Sequence, residues 1–186
     1  GSEVTTGSDK DMATDFVRNG YNVEDEGIKV GVISDSYNTL PGDPAQIDMD
    51  NGDLPGGAND TINKTPVHVL LDFPFGSSRD EGRAMLQIVH DIAPKAKRSF
   101  RTGFITPGDF AQGILELQQD GCNVIVDDVT FVTEPFFQDG VVAKAVDYVT
   151  SQGVTYVSSA GNFGNKSYES TFVPTAAPPG YKGTAH

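Results

Sequence analysis

From residue 67 onward the chain alternates between short β-branched runs and amphipathic segments, with few residues between them. No other feature constrains the fold as strongly. Residues 67–73 (VHVLLDF) read as a strand. Ala84, Met85, Ile88, Val89 and Ile92 then recur at helical spacing, and Pro94 ends that helix. Residues 98–104 (RSFRTGF) alternate as a strand does. Phe110, Ala111, Ile114 and Leu115 mark a second helix, entered after Thr106-Pro107 and closed at Gly121. Residues 123–131 form a buried strand. Val141, Val142, Ala145, Val146 and Val149 mark a third helix closed by Gly153, and residues 154–160 a last strand. Upstream, residues 28–36 (IKVGVISDS) are nearly continuous in apolar character, which marks a strand covered on both faces. Parallel strands joined by right-handed helical crossovers satisfy this pattern. The expected fold is an open, mostly parallel, doubly wound α/β sheet with helices on both faces.

The rest of the chain is organised around that body, expected over residues 21–173. Residues 1–20 read as a polar arm and a short helix carrying Met12, Phe16 and Val17. Residues 37–66, rich in Pro, Gly and Asp, show no period and read as one long loop, a length compact domains reserve for function. Residues 174–186 carry three prolines and read as a linker or an exit to further sequence. With 13 Lys and Arg against 26 Asp and Glu, the formal charge is −13, which argues against sequence-independent binding to nucleic acid or an anionic membrane. No apolar run approaches the ~20 residues of a membrane span. Cys122 is the only cysteine, which excludes an intrachain disulfide and a multi-cysteine zinc site.

In an open parallel sheet, ligands collect at the carboxyl ends of the strands. Asp35, Glu81, Asp127-Asp128 and Asn162 fall at such positions. Each also has a local explanation: Asp35 as a turn cap, Glu81 as a partner of the helix dipole, Asn162 as a left-handed residue between glycines. Asp48, Asp50 and Asp53 alternate as a calcium loop does, but the residue twelfth from Asp48 is Asn59, not the glutamate of an EF-hand. A calcium site and a solvated turn both fit that run.

Three segments share a family likeness. Val30–Ser36 (VGVISDS) resembles the catalytic-aspartate strand of subtilisin-like serine peptidases. Gly82 with residues 84–94 (AMLQIVHDIAP) resembles the helix that follows that family's His-Gly-Thr motif. Residues 158–164 (SSAGNFG) resemble the segment bearing its oxyanion asparagine. The order matches too, over roughly residues 20–170. The resemblance implies a truncated subtilisin-like fold, export to an extracellular or periplasmic space, and a peptide or protein substrate. It implies Asp35 as the residue orienting the base, Asn162 as oxyanion donor, and a cleft lined by Asp127, Asp128, Val129 and Thr130. No cofactor is expected, with calcium at Asp48, Asp50 and Asp53 as the alternative; subtilisin-like enzymes often bind calcium, but at other places.

Two departures decide what such a site could do. Glu81-Gly82-Arg83 stands where the family has His-Gly-Thr. His90 lies about 13 Å further along the helix axis and cannot take the same place; His68 and His186 lack the context. Close carboxylates raise one another's pKa and share a proton, so a Glu81–Asp35 pair could serve as the base at an acidic optimum. Sedolisin-type serine-carboxyl peptidases use Glu, Asp and Ser, but their second carboxylate lies one turn after the Glu, where this chain has Met85. Also, no Gly-Thr-Ser segment opening a helix follows Asn162: Gly183-Thr184 leads to Ala185-His186. The 186 residues alone are therefore expected to be inactive, with the serine supplied by the remainder of the same protein. The alternatives are a pseudopeptidase or other ligand-binding domain on the same sheet, and a receiver-like domain prompted by Asp127-Asp128 but lacking its lysine strand after Ala160.

Overall fold

The structure, a computed structural model, describes residues 27–128, 140–158 and the strand 172–173. The expected alternation is present. In chain order the elements are β1 (Lys29–Ser34), α1 (Pro44–Asn51), β2 (His68–Leu71), α2 (Glu81–Ile92), β3 (Lys97–Thr102), α3 (Pro107–Gln119), β4 (Val124–Asp127), α4 (Gly140–Ser151), β5 (Thr155–Ser158) and β6 (Phe172–Val173). The sheet order is β2-β3-β1-β4-β5-β6. β1 to β5 are parallel, and β6 pairs antiparallel with β5 at the edge. This is the open α/β sheet expected from the sequence. The motifs expected within residues 1–20, 129–139, 159–171 and 174–186 lie outside the described residues.

Alternating side chains on the central strands feed two cores. Val30, Val32, Phe100, Val124, Val126 and Val157 face one side, where Met85, Leu86 and Val89 of α2 cover them together with Ala45 and Leu54. Ile33, Ile125 and Tyr156 face the other side, under Phe110, Ile114 and Leu117 of α3 and Val142, Val146 and Val149 of α4. Gly31 makes room for the second layer: a Cβ there would lie 2.8 Å from the Cys122 sulfur. Thr106 caps α3 by accepting from the Asp109 N–H at 3.0 Å, with Pro107 at the first helical position.

Two expectations change. Residues 37–66 are not wholly irregular, because α1 lies within them. Asp43 caps it, Pro44 opens it and a left-handed Gly52 closes it. Only Ala45 is buried within the helix, so no apolar period announces it.

The second change concerns handedness. β2–α2–β3 and β3–α3–β4 both step across the sheet in the same direction, yet α2 lies on the first-core face and α3 on the second. Crossovers that step alike on opposite faces have opposite hands. β4–α4–β5 shares the hand of β3–α3–β4. So does the connection from β1 through α1 to β2, which steps the other way on the face of α2. β2–α2–β3 therefore has the opposite hand to the other three, so the crossovers are not all of the one hand expected. The second face is filled by α3 and α4, and the stripe Met85, Leu86, Val89 fits the first.

Gly82 fixes the approach of α2. Its N–H donates to the Ser36 carbonyl at 3.1 Å, and a Cβ there would lie 2.7 Å from that same oxygen and overlap the Phe100 ring. Gly82→Ala should therefore lose about 1–3 kcal/mol of stability. Urea unfolding measures this, and an unchanged midpoint would show that α2 does not need this close seat.

Candidate functional site

β1 ends at Ser34, and the chain turns sharply through Asp35 and Ser36 at the carboxyl edge of the sheet. The first turn of α2 returns to this point, with the Glu81 N–H on Asp35 and the Gly82 N–H on the Ser36 carbonyl. Asp35 is buried, and its carboxylate has five donor groups within hydrogen-bond reach. The Glu81 N–H and the Ser34 hydroxyl reach Oδ1 at 2.9 and 3.4 Å. The Arg79 N–H, Ser78 hydroxyl and Ser36 hydroxyl reach Oδ2 at 2.7, 2.7 and 3.0 Å. The Asp35 carbonyl accepts from Thr102 Oγ1 at 2.6 Å, which ties the turn to the end of β3. Asp35 thus sits on the N-terminus of a twelve-residue helix, where free N–H groups and the helix dipole favour an anion.

Glu81 is the first residue of that helix, with its main chain directly on Asp35. Its carboxylate lies 3.4 Å from the guanidinium of the exposed Arg79. The structure therefore brings Asp35 and Glu81 together, through the Glu81 backbone.

A residue absent from the sequence expectations completes the arrangement. Asp80 is buried, in the left-handed region at φ 54°, and its carboxylate accepts from the Thr39 and Leu40 N–H groups, Thr39 Oγ1, Ser36 Oγ and Arg83. Burial alone would raise its pKa. The hydrogen bonds from Thr39, Arg83 and Ser36 outweigh burial and hold it at about 2. Ser36 lies between the two aspartates: its hydroxyl is within reach of both, and it accepts from the Asp80 N–H at 2.7 Å. The signal in the sequence is faint, a Ser-Ser-Arg-Asp run before a helix.

The neighbouring strand ends beside Asp35. The Asp128 N–H donates to the Ile33 carbonyl at 3.0 Å, and the Asp128 carbonyl accepts from Ser34 Oγ at 3.2 Å. Asp127 is buried and accepts from Tyr156 Oη and Ser158 Oγ, each at 2.8 Å. Burial, with Asp127 beside it, pushes the Tyr156 phenol well above its ordinary pKa. Val129, Thr130 and Asn162, also expected at this edge, lie outside the described residues.

The remaining expected residues are elsewhere. Asp48 and Asp50 lie on α1 and Asp53 follows its cap. The Asp48 carboxylate takes Arg83 Nε at 2.9 Å and Gln87 Nε2 at 2.7 Å, and Asp50 takes Gln46 at 3.0 Å. Among the described residues, no group of three His, Cys, Asp or Glu side chains is arranged to hold a metal ion. His90 lies near the far end of α2, away from Asp35. Cys122 is buried, and burial pushes its thiol up to about 12, so it packs as a small apolar group. No protein-family model matches the chain, and no curated protein matches it.

Proposed function

We propose that the chain carries the acid/base half of a subtilisin-like serine endopeptidase site. The observation that supports this most is the seat of Asp35 on the first turn of α2, with the Glu81 N–H at 2.9 Å, at the carboxyl edge of a parallel sheet. In this reading Glu81 is the group that takes the serine proton. Asp35 orients it by gripping the start of its helix, and the pair shares the charge that develops. Asn162 donates to the oxyanion, an interaction worth about 2.7–4 kcal/mol in such sites. The substrate is an extended peptide along the segment Asp127, Asp128, Val129 and Thr130. The nucleophilic serine comes from sequence outside these 186 residues, so this chain alone does not turn over peptide. The working location is extracellular or periplasmic, and the site needs no cofactor.

One observation favours a second reading, a non-catalytic domain that binds peptide at the same edge. The Glu81 and Arg79 N–H groups and the Ser78 hydroxyl all point at Asp35, with the Ser34 and Ser36 hydroxyls in reach, which makes it a good anchor for the start of a helix.

A fluorophosphonate probe separates the two. A form of the protein that carries the nucleophilic serine should label on that serine between about pH 4 and 8, where a carboxylate base is charged. An extended protein that binds peptide but never labels would leave the binding reading standing and end the peptidase one.

A further inference from the structure

A second polar cluster lies at the opposite end of α2, where β3 begins. Arg98 is the second residue of β3, in register with Val30 of β1, and is only 1% exposed. Its Nη2 donates to the Ala93 carbonyl at 2.6 Å, just past the end of α2. Its Nε and Nη1 are buried without a partner. The ring of His90 stands beside it, with a buried, unpartnered Nδ1. Asp60, in the segment between α1 and β2, completes the group. Its Oδ1 accepts from the Ile62 and Asn63 N–H groups, both at 2.9 Å, while Oδ2 is buried, unpartnered and 4.0 Å from His90 Nε2.

Four buried polar atoms on three side chains from three segments are thus unmatched at one place. An unmatched buried polar group is costly, more so where it is charged, and native interiors meet that demand with ordered water. We propose that Arg98, His90 and Asp60 enclose an internal water cluster that joins the 52–66 segment to α2 and β3.

The chemistry of the set selects water over an ion. Arg98 and Asp60 cancel in charge, and the His90 imidazole is kept neutral by burial and by the nearby guanidinium. The open groups are two donors, Arg98 Nε and Nη1, one acceptor, Asp60 Oδ2, and the ring nitrogen His90 Nδ1. Water both donates and accepts; chloride and metal ions do only one of these. The Nε–H of a guanidinium forks with Nη2, which Ala93 already occupies, so one oxyanion cannot bridge Nε and Nη1. A water between His90 and Asp60 also accounts for a 4.0 Å gap that is too long for a hydrogen bond.

A crystal structure of the 186-residue chain with ordered solvent tests this directly. It should show water at about 2.7–3.2 Å from Arg98 Nε and Nη1, leading to His90 Nδ1 and Asp60 Oδ2. A direct Arg98–Asp60 ion pair with no water between them would overturn the proposal. So would an anomalous peak at Arg98 in a bromide soak, which would make it an anion site. In solution, magnetic relaxation dispersion of water should report long-lived internal waters that Arg98→Met removes. His90→Phe, which keeps an apolar body against α2, should remove them as well. Retention of the signal in both variants would place those waters elsewhere and overturn the assignment.

Discussion

Glu81→Gln, made in the extended protein that carries the serine, should lower kcat/KM on a peptide substrate by about 10²–10⁴-fold, the usual contribution of a positioned general base. Its stability should barely change. Asp35 uses the Glu81 main-chain N–H, which glutamine keeps, and the lost ion pair to Arg79 is long and reaches an exposed side chain. Asp35→Asn should behave differently. An amide in place of the carboxylate turns one acceptor oxygen into a donor, facing Ser78, Arg79 and Ser36 on one side or Glu81 and Ser34 on the other. That variant should lose activity and also about 1–3 kcal/mol of stability, because buried donors are left facing a donor. The two substitutions together separate chemistry from architecture. Undiminished turnover in Glu81→Gln removes Glu81 from the mechanism. Equal loss of stability in both variants would make Glu81 part of the scaffold and return the site to the peptide-binding reading.

The legible part of this fold was the part written in local periodicity. Val30, Val32 and Ile33 announce a strand buried on both faces, and Met85 with Ile88, Val89 and Ile92 announces the covering helix; both are present as β1 and α2. The carboxyl edge of β1 then points to Asp35 through sheet topology alone. Periodicity says which stripe of a helix is apolar but not which face of the sheet it will cover, so the hand of β2–α2–β3 had no signature. α1 was hidden for a related reason: it rests on Ala45 and the partly buried Met49, too few for a period, and its start and stop at Asp43-Pro44 and Gly52 are lost among the other turn residues around them. Asp80 illustrates a harder limit. In the sequence it belongs to a polar Ser-Ser-Arg-Asp run before a helix. Its burial exists only once residues 36–40, over forty positions earlier, fold around it. Long-range enclosure of a polar group leaves no mark on the residues next to it.

Asp80→Ala should be the most damaging single change to stability among the polar residues of this edge, at about 3–5 kcal/mol, the range for breaking a buried ionic arrangement from one side. The substitution leaves the Thr39 and Leu40 N–H groups buried without their acceptor and takes one partner from Arg83, which keeps Asp48 and the Tyr37 carbonyl. The acid response follows from the same bonds. Asp80 titrates at about 2 when folded, against its ordinary 3.8, so the unfolded chain takes up the proton first as pH falls. Its contribution, about 2–3 kcal/mol from a shift of this size, is fully present above pH 3.8 and is lost as pH drops from there through about 2. Asp80→Asn should flatten that portion of the stability curve, and Asp80→Ala should remove it while lowering the whole curve. Urea midpoints collected at intervals between pH 5 and 2 measure both effects. Variants that keep the parental midpoint and the parental acid slope would show that the 36–40 turn holds its place without Asp80, and that the start of α2 is fixed by Asp35 and Gly82 alone.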